Sequence, residues 1–134
     1  MSIKGSCNCG SVKFEIRKPV SDVYVCHCSI CRKSTGSGGI AVTIVNNDYF
    51  SWLEGQRFIK TWSKPNHDWQ ASFCSECGSP LPGKNDDVAS YIPVSLLDTG
   101  FETLRIKHHL FVDSKAPWEE IGDGAKEHKN NFGE

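Results

Sequence analysis

The sequence lacks a long apolar run and an apolar leader at its start. No segment approaches the roughly 18 consecutive apolar residues of a membrane span. No charged start is followed by the run of about 7–15 apolar residues that marks a secretory signal. We therefore expect a cytoplasmic protein that does not enter a membrane. An excess of basic charge is also missing, with 15 Lys and Arg against 16 Asp and Glu. This balance argues against nucleic acid as the main partner.

Repeats, linkers and low-complexity blocks are absent as well, and no helical periodicity runs for long. The chain has 134 residues, of which 38% are hydrophobic, so it has the length of one domain with a modest core. We predict a single domain over residues 1–134 whose core lies at about 3–126. The polar segment at 122–134 is expected to fray.

β-type patterns cover most of the chain. Apolar and polar residues alternate over 11–17, which is typical of a half-buried strand. Similar runs predict strands at 20–26, 40–45, 57–62, 70–73, 88–94 and 104–112. Short helical turns are predicted from Ser29, an acceptable N-cap, to about 34 and at 118–121. The sequence therefore predicts a mainly β, mainly antiparallel domain with short helical turns.

Cysteine is what the chain has in abundance. Its seven cysteines fall into three tight groups, namely Cys7 and Cys9, then Cys26, Cys28 and Cys31, then Cys74 and Cys77. The count is odd, and the spacings are too close for comfortable internal bridges. Both features favour reduced thiols that bind metal over a disulfide scaffold.

The two cysteine pairs together supply the four thiolates of a closed, tetrahedral zinc site. On a strand, Cys7 and Cys9 would point the same way, and Gly10 would let the backbone turn away. The two-residue spacer between Cys74 and Cys77 allows a tight knuckle. A site built from both pairs would close a long loop and stabilise a small core.

The middle trio supplies only three thiolates, which leaves a fourth position on a zinc ion for water or substrate. Such an ion can bind an incoming thiol, lower its pKa and hold it as a thiolate nucleophile. Two Zn²⁺ ions per chain are therefore expected.

Two other interpretations of the trio stay open. His108 or His109 could complete it as a second structural site, since three cysteines and one histidine are a common structural set. His27 is a poor fourth ligand, because it lies between two ligands and would face the other way. In the second interpretation the trio holds no metal and one thiol is redox-active.

Five blocks of sequence, in order along the chain, resemble a known family. They are GSCNCGSV at 5–12, CHCSICRK at 26–33, FCSECGS at 73–79, LD at 97–98 and HLFVDSKAPW at 109–118. In these blocks the chain is similar to the glutathione-dependent formaldehyde-activating enzymes, also called the centromere-protein-V type domain. The resemblance runs nearly from end to end.

The resemblance implies a zinc-binding β domain of the Mss4-like fold. It implies a structural zinc on Cys7, Cys9, Cys74 and Cys77, and a catalytic zinc on Cys26, Cys28 and Cys31. The implied enzyme is a carbon–sulfur lyase that reversibly combines glutathione and formaldehyde into S-(hydroxymethyl)glutathione. The thiol would be glutathione or a similar molecule, and the electrophile formaldehyde or another small aldehyde.

Substrate contacts are predicted at three positions. Arg32 and Lys33 directly follow the trio and could attract the carboxylates of glutathione or the developing alkoxide. Trp52 is one of several aromatic residues that could wall a pocket, together with Tyr49, Phe50, Trp62 and Trp69.

A function of another class remains as the alternative. The chain could be a non-catalytic binding or chaperone-like module of the same fold, with two structural metals. A methionine sulfoxide reductase of the related fold is disfavoured, because no cysteine follows Cys77 to act as a late nucleophile.

Overall fold

Short β-strands dominate the computed structural model, which describes residues 2–134. The strands are β1 (Ile3–Ser6), β2 (Lys13–Ile16), β3 (Asp22–Cys26), β4 (Ile40–Asn46), β5 (Phe50–Glu54), β6 (Ile59–Ser63), β7 (Gln70–Cys74), β8 (Gly83–Lys84), β9 (Ala89–Pro93), β10 (Arg105–Leu110) and β11 (Lys126–Glu127). One α-helix, α1, spans Ser29–Thr35, and 3₁₀ turns occupy Asn47–Tyr49, Gln56–Phe58, Val94–Leu96 and Val112–Ser114. The predicted mainly β fold is confirmed. Within residues 2–134, no helix combines the length and the apolar character that a membrane crossing requires.

The strands form three sheets. One sheet has the order β1-β2-β5, and β6 and β7 form a separate antiparallel pair. The largest sheet has the order β11-β10-β3-β4-β9-β8. Most neighbours are antiparallel, as predicted, but β10 runs parallel to both β3 and β11. The large sheet is therefore mixed, which is possible because a long stretch of chain connects β3 to β10.

The main apolar core joins the three-stranded sheet to the large sheet. The alternation over 11–17 puts Val12, Phe14 and Ile16 on the buried face, and each of them is 0% exposed. Phe14 and Ile16 share one cluster with Val45 of β4 and Ile92 of β9. The period-two pattern thus sets which face of β2 meets the rest of the molecule.

Two smaller apolar clusters contain cysteines. Cys7 and Cys74 pack with Val12 and Leu81 at one end of the core. Cys31 packs with Ile40, Val42 and Tyr91 against the large sheet. Each group of sulfurs is consequently fixed by packed side chains as well as by its own turn.

The N-cap of helix α1 lies one residue before the predicted N-cap. Cys28, not Ser29, is the N-cap: its sulfur accepts a hydrogen bond from the Cys31 N–H. The helix ends at Gly36, whose N–H donates to the Arg32 carbonyl over 2.8 Å. A cysteine thus does the work of the usual Ser, Thr or Asp cap at this position.

The C-terminal segment is docked, whereas the sequence predicts fraying. β11 pairs with β10, and His128 is buried with 3% exposure. The His128 N–H donates to the His109 carbonyl over 2.8 Å, and the Val112 N–H donates to the His128 carbonyl over 3.0 Å. Phe132 also packs on the rings of His108 and Tyr24. Backbone pairing and edge-to-face ring contacts therefore hold a segment whose polar composition predicts fraying.

Other elements also differ from the sequence prediction, which includes no strand at β1, β5, β8 or β11. Residues 118–121 form no helix, and Trp118 is 75% exposed beside a turn. β5 was not predicted, yet it pairs with β2 along Phe50–Glu54. That pairing is a long-range contact that supports the strand, and local pattern does not report it.

Gly55 follows β5 directly and lies against the residues that precede β2, a contact that we call the joint between β2 and β5. Its φ is 79°, and a Cβ there would lie 1.9 Å from the Ser11 carbonyl oxygen. We expect Gly55→Ala to lower the free energy of unfolding by about 2 kcal/mol or more, because it adds left-handed strain to a backbone clash. Urea denaturation of the metal-loaded protein measures this.

Gly122→Ala is the matched control. No atom lies within 4 Å of the added Cβ, so its effect should stay within about 0.5 kcal/mol. Equal effects of the two substitutions would contradict the assigned joint.

Candidate functional site

The first cysteine cluster brings together the two pairs that are far apart in sequence. The sulfurs of Cys7, Cys9, Cys74 and Cys77 all lie within 4.8 Å of one another. Cys7 Sγ is 3.6 Å from Cys9 Sγ, and Cys9 Sγ is 3.8 Å from Cys74 Sγ. A tetrahedral ion with metal–sulfur bonds of about 2.3 Å would separate its sulfurs by about 3.8 Å. The cluster therefore has the spacing of a metal site and is too open for a disulfide.

The first pair reaches this geometry from a turn. β1 ends at Ser6, and the Gly10 N–H donates back to the Cys7 carbonyl over 3.0 Å. Gly10 has a φ of 79°, which a glycine adopts without strain. The strand geometry predicted for Cys7 and Cys9 is thus wrong, although their sulfurs do converge. On the other side, the predicted knuckle is present, with the Gly78 N–H donating to the Cys74 carbonyl over 2.7 Å.

The four thiols of this cluster differ in their readiness to ionise. Burial raises the pKa of Cys74 to about 11. Hydrogen bonding from Ser79 lowers the pKa of Cys77 to about 6. All four would become thiolates together only with a cation to offset their mutual repulsion.

The second cluster is built from one strand end and one helix start. Cys26 is the last residue of β3, Cys28 caps α1, and Cys31 lies in the first turn of that helix. Their three sulfurs lie within 4.8 Å of one another. The Cys31 N–H donates to Cys28 Sγ over 3.3 Å, which holds the turn closed. We call these three residues the trio.

The sulfurs of the trio strongly perturb one another. Hydrogen bonds from Cys26 and Cys31 to the Cys28 thiolate lower the pKa of Cys28 to about 2. The same contact with Cys28 raises the pKa of Cys26 to about 11. The pKa of Cys31 is also raised, by its two neighbours and by burial. One negative charge is therefore easily held by the trio, and a divalent cation would allow the other two.

No fourth protein ligand joins the trio among residues 2–134. His109 instead forms two hydrogen bonds of 2.8 Å each, through Nδ1 with His27 Nε2 and through Nε2 with Asp123 Oδ2. His108 Nδ1 lies 3.0 Å from His128 Nε2. Both histidines that the sequence offered as fourth ligands are consequently engaged elsewhere.

A cavity of about 440 Å³ opens beside the trio, and Cys26 and Cys31 form part of its wall. Its other apolar and aromatic lining residues are Tyr24, Ile40, Val42, Ile44, Trp69, Tyr91, Leu110, Phe111 and Phe132. Its polar lining residues are Asp68, Lys84, Asn85 and Asn131. A small molecule bound in this cavity would lie beside the trio and would contact mainly apolar side chains.

Tyr91 is a wall residue that sequence reasoning did not single out. Its hydroxyl donates to the Gln70 carbonyl over 3.2 Å, and its ring stacks on Trp69 with 5.6 Å between centroids. Burial, together with the nearby charge of Cys31, raises the pKa of Tyr91 to about 12. The hydroxyl is therefore protonated at neutral pH. The available signal was the β9 pattern, in which Tyr91 faces the opposite side from Ile92.

The predicted substrate contacts do not line this cavity. Arg32 is half-buried on α1, and its Nε is buried without a hydrogen-bond partner. Lys33 is exposed and lines a separate cavity of about 320 Å³. Trp52 packs edge-on against Phe14 and Phe50 in the main core, with ring centroids 6.2 and 5.0 Å apart. Of the predicted aromatic residues, Trp69 is the one that lines the cavity beside the trio.

Comparison with known proteins shows the family of this chain. The family model for "Glutathione-dependent formaldehyde-activating enzyme" matches residues 2–114. The chain belongs to this family. The match includes all seven cysteines and confirms the resemblance read from the sequence. The two cysteine clusters and the cavity are therefore features of a member of the glutathione-dependent formaldehyde-activating enzyme family.

One relative is similar in sequence and carries the family's name, and one solved structure is similar in fold. A curated protein of Halomonas elongata, named "Putative glutathione-dependent formaldehyde-activating enzyme", is 28% identical over 130 residues, covering 90% of this chain and 82% of that protein. A crystal structure of a Rhodobacter sphaeroides protein has a TM-score of 0.58 and 21% identity, covering 71% of this chain and 87% of that one. The second likeness shows a shared fold.

Cys28→Ala and Cys74→Ala should separate the two clusters. Cys28 is half-buried at a helix cap, so Cys28→Ala should lose about one metal ion per chain and keep the far-ultraviolet circular dichroism of the parent. Cys74 is 0% exposed in an apolar cluster, so Cys74→Ala should unfold or aggregate. Elemental analysis after gel filtration measures the metal.

Ser34→Ala, an exposed change on α1, is the control for Cys28→Ala. It should retain both the metal and the fold. Global unfolding of Cys28→Ala would contradict the division between the two clusters.

Proposed function

We propose that the chain is a zinc-dependent carbon–sulfur lyase that joins a small thiol to formaldehyde or a similar aldehyde. Its family supplies glutathione and formaldehyde as the expected reactants. One observation carries the proposal: three cysteine sulfurs converge without a fourth protein ligand among residues 2–134, and two of these cysteines, Cys26 and Cys31, line a cavity. That arrangement leaves a position where a substrate sulfur can bind.

The donor chemistry fits zinc at both clusters. Thiolate sets of four and three are ligands that zinc prefers, and the closed set is of the structural kind. Cys7, Cys9, Cys74 and Cys77 would hold the structural ion, and Cys26, Cys28 and Cys31 the catalytic one. When bound at the trio, zinc lowers the pKa of an incoming thiol so that it is present as a thiolate.

The cavity walls would position the reactants. Aromatic side chains such as Trp69 and Tyr91 limit the water around the substrate sulfur. That sulfur attacks the aldehyde carbon: a C–S bond forms, and the π pair of the C=O bond moves to oxygen, which then takes up a proton. To stabilise the charge on this oxygen, the Tyr91 hydroxyl would exchange its hydrogen bond to the Gln70 carbonyl for one to the substrate.

A carboxylate of the thiol substrate needs a positive partner. Of the described residues that line the cavity, Lys84 alone is basic. We assign to Lys84 the role that the sequence suggested for Arg32 and Lys33. Its flexible, exposed ammonium group suits a carboxylate at the cavity mouth.

The cellular setting follows from the chemistry of the site. Seven reduced thiols and a thiol substrate require a reducing compartment. We propose that the protein acts in the cytoplasm.

The alternative is a binding or chaperone-like module in which both metals are structural. A fourth protein ligand at the trio would favour it. Among residues 2–134, His108 and His109 were the candidates, and both have other partners. The geometry therefore supports the enzyme better than the module.

Exchange spectroscopy tests the activity directly. Glutathione and formaldehyde combine without a catalyst, so the quantity to measure is the rate of exchange between ¹³C-formaldehyde hydrate and the S-hydroxymethyl adduct at equilibrium. We expect the two-zinc protein to raise this rate by at least about a hundredfold over buffer. Cys28→Ala, which lacks the trio's metal, should fall back to the buffer rate.

A panel of thiols in the same assay identifies the substrate. Acceleration with another low-molecular-weight thiol, and not with glutathione, would keep the reaction and change the substrate. Equal rates for the parent, Cys28→Ala and buffer with every thiol would contradict the proposed function.

A further inference from the structure

A chain of hydrogen bonds runs from the trio's turn to the C-terminal segment. His27 Nε2 lies 2.8 Å from His109 Nδ1, and His109 Nε2 lies 2.8 Å from Asp123 Oδ2. His27 and His109 are 4% and 5% exposed. Two buried rings therefore connect a half-exposed carboxylate to the residue between Cys26 and Cys28.

The direction of this chain follows from its carboxylate end. Hydrogen bonding from the Ala125 N–H, and then from His109, lowers the pKa of Asp123. Asp123 is thus an acceptor, and His109 Nε2 carries the proton between them. With both rings neutral, His109 Nδ1 accepts from the Nε2–H of His27. One carboxylate thereby sets the tautomer and the orientation of both rings.

The orientation of His27 matters because of where its backbone lies. Cys26 and Cys28 flank it directly, and its N–H donates to the Leu110 carbonyl over 3.0 Å. Ring and backbone together tie the turn to β10 from two sides. These contacts fix the one residue that joins Cys26 to Cys28, and metal affinity depends on how the ligand side chains are oriented.

Asp123 lies outside the part of the chain that the family model matches, which ends at residue 114. It is held there by the Ala125 N–H, which donates to Asp123 Oδ1 over 2.9 Å, and by the pairing of β11 with β10. The docked segment therefore presents the carboxylate in a fixed place.

We propose that Asp123 and His109 are positioning residues for the trio. They hold His27, and through it the turn that carries Cys26 and Cys28, in the geometry that binds metal. This inference rests on the proposed function, because it takes the trio as a zinc site. It adds the C-terminal segment to the parts of the chain on which that site depends.

Metal release tests the inference. The two-zinc forms of the parent and of Asp123→Ala are mixed with a chromophoric zinc chelator, and the release of each ion is followed with time. We expect Asp123→Ala to release one zinc at least about tenfold faster than the parent and the other at an unchanged rate. The cobalt-substituted variant should also show altered ligand-field bands for the trio's ion.

Two further variants control this experiment. Asp113→Ala removes an exposed carboxylate from the neighbouring 3₁₀ turn and should match the parent. Asp123→Asn keeps an oxygen acceptor and should release the trio's zinc within about threefold of the parent.

The outcomes separate this inference from the proposed function. If the parent holds one zinc only, the proposed function fails and the inference fails with it. If the parent holds two, equal release from Asp123→Ala and Asp113→Ala overturns the inference alone. Faster release of both ions by the same factor, or Asp123→Asn behaving as Asp123→Ala, also overturns it.

Discussion

Convergence of thiols that repel one another once ionised is the constraint on which the rest of the structure depends. Cys7 and Cys74 are buried against Val12 and Leu81, so one group of sulfurs forms part of the core itself. Three more sulfurs meet where β3 ends and α1 begins. Such groups ionise together only around a cation, so a metal ion bound at the first cluster would be coupled to folding. The second cluster has three sulfurs, so an ion bound there would keep room for a fourth ligand.

The trio and its cavity have different origins in the chain. All three sulfurs come from one six-residue motif, whereas most wall residues come from β3, β4, β8, β9, β10, the segment before β7 and the C-terminal segment. The cavity wall therefore depends on long-range packing, whereas the trio depends on one local turn. The C-terminal segment, beyond the family match, adds Phe132 to the cavity wall and bonds His109 through Asp123.

Short-range patterns in the sequence predicted what short-range geometry controls. Spacing grouped the cysteines correctly, and alternation found the buried face of β2. Long-range packing decided the rest. Local alternation puts Tyr91 on the opposite side from Ile92, but only the register of the sheets shows that Tyr91 lies beside the trio and Trp52 in the main core. Likewise the polar residues near His128 predict fraying. The pairing with β10 and the ring contacts of Phe132 that prevent it exist only in the folded chain.

Cadmium-113 nuclear magnetic resonance of the cadmium-substituted protein tests the central claim most directly, because each ion reports its own sulfur ligands. We expect two signals of equal intensity, one from a four-thiolate site and one from a three-thiolate site. Adding glutathione should move the second signal towards the first and leave the first in place. A single signal, or two signals that glutathione leaves unchanged, would contradict an open thiol-binding site at Cys26, Cys28 and Cys31.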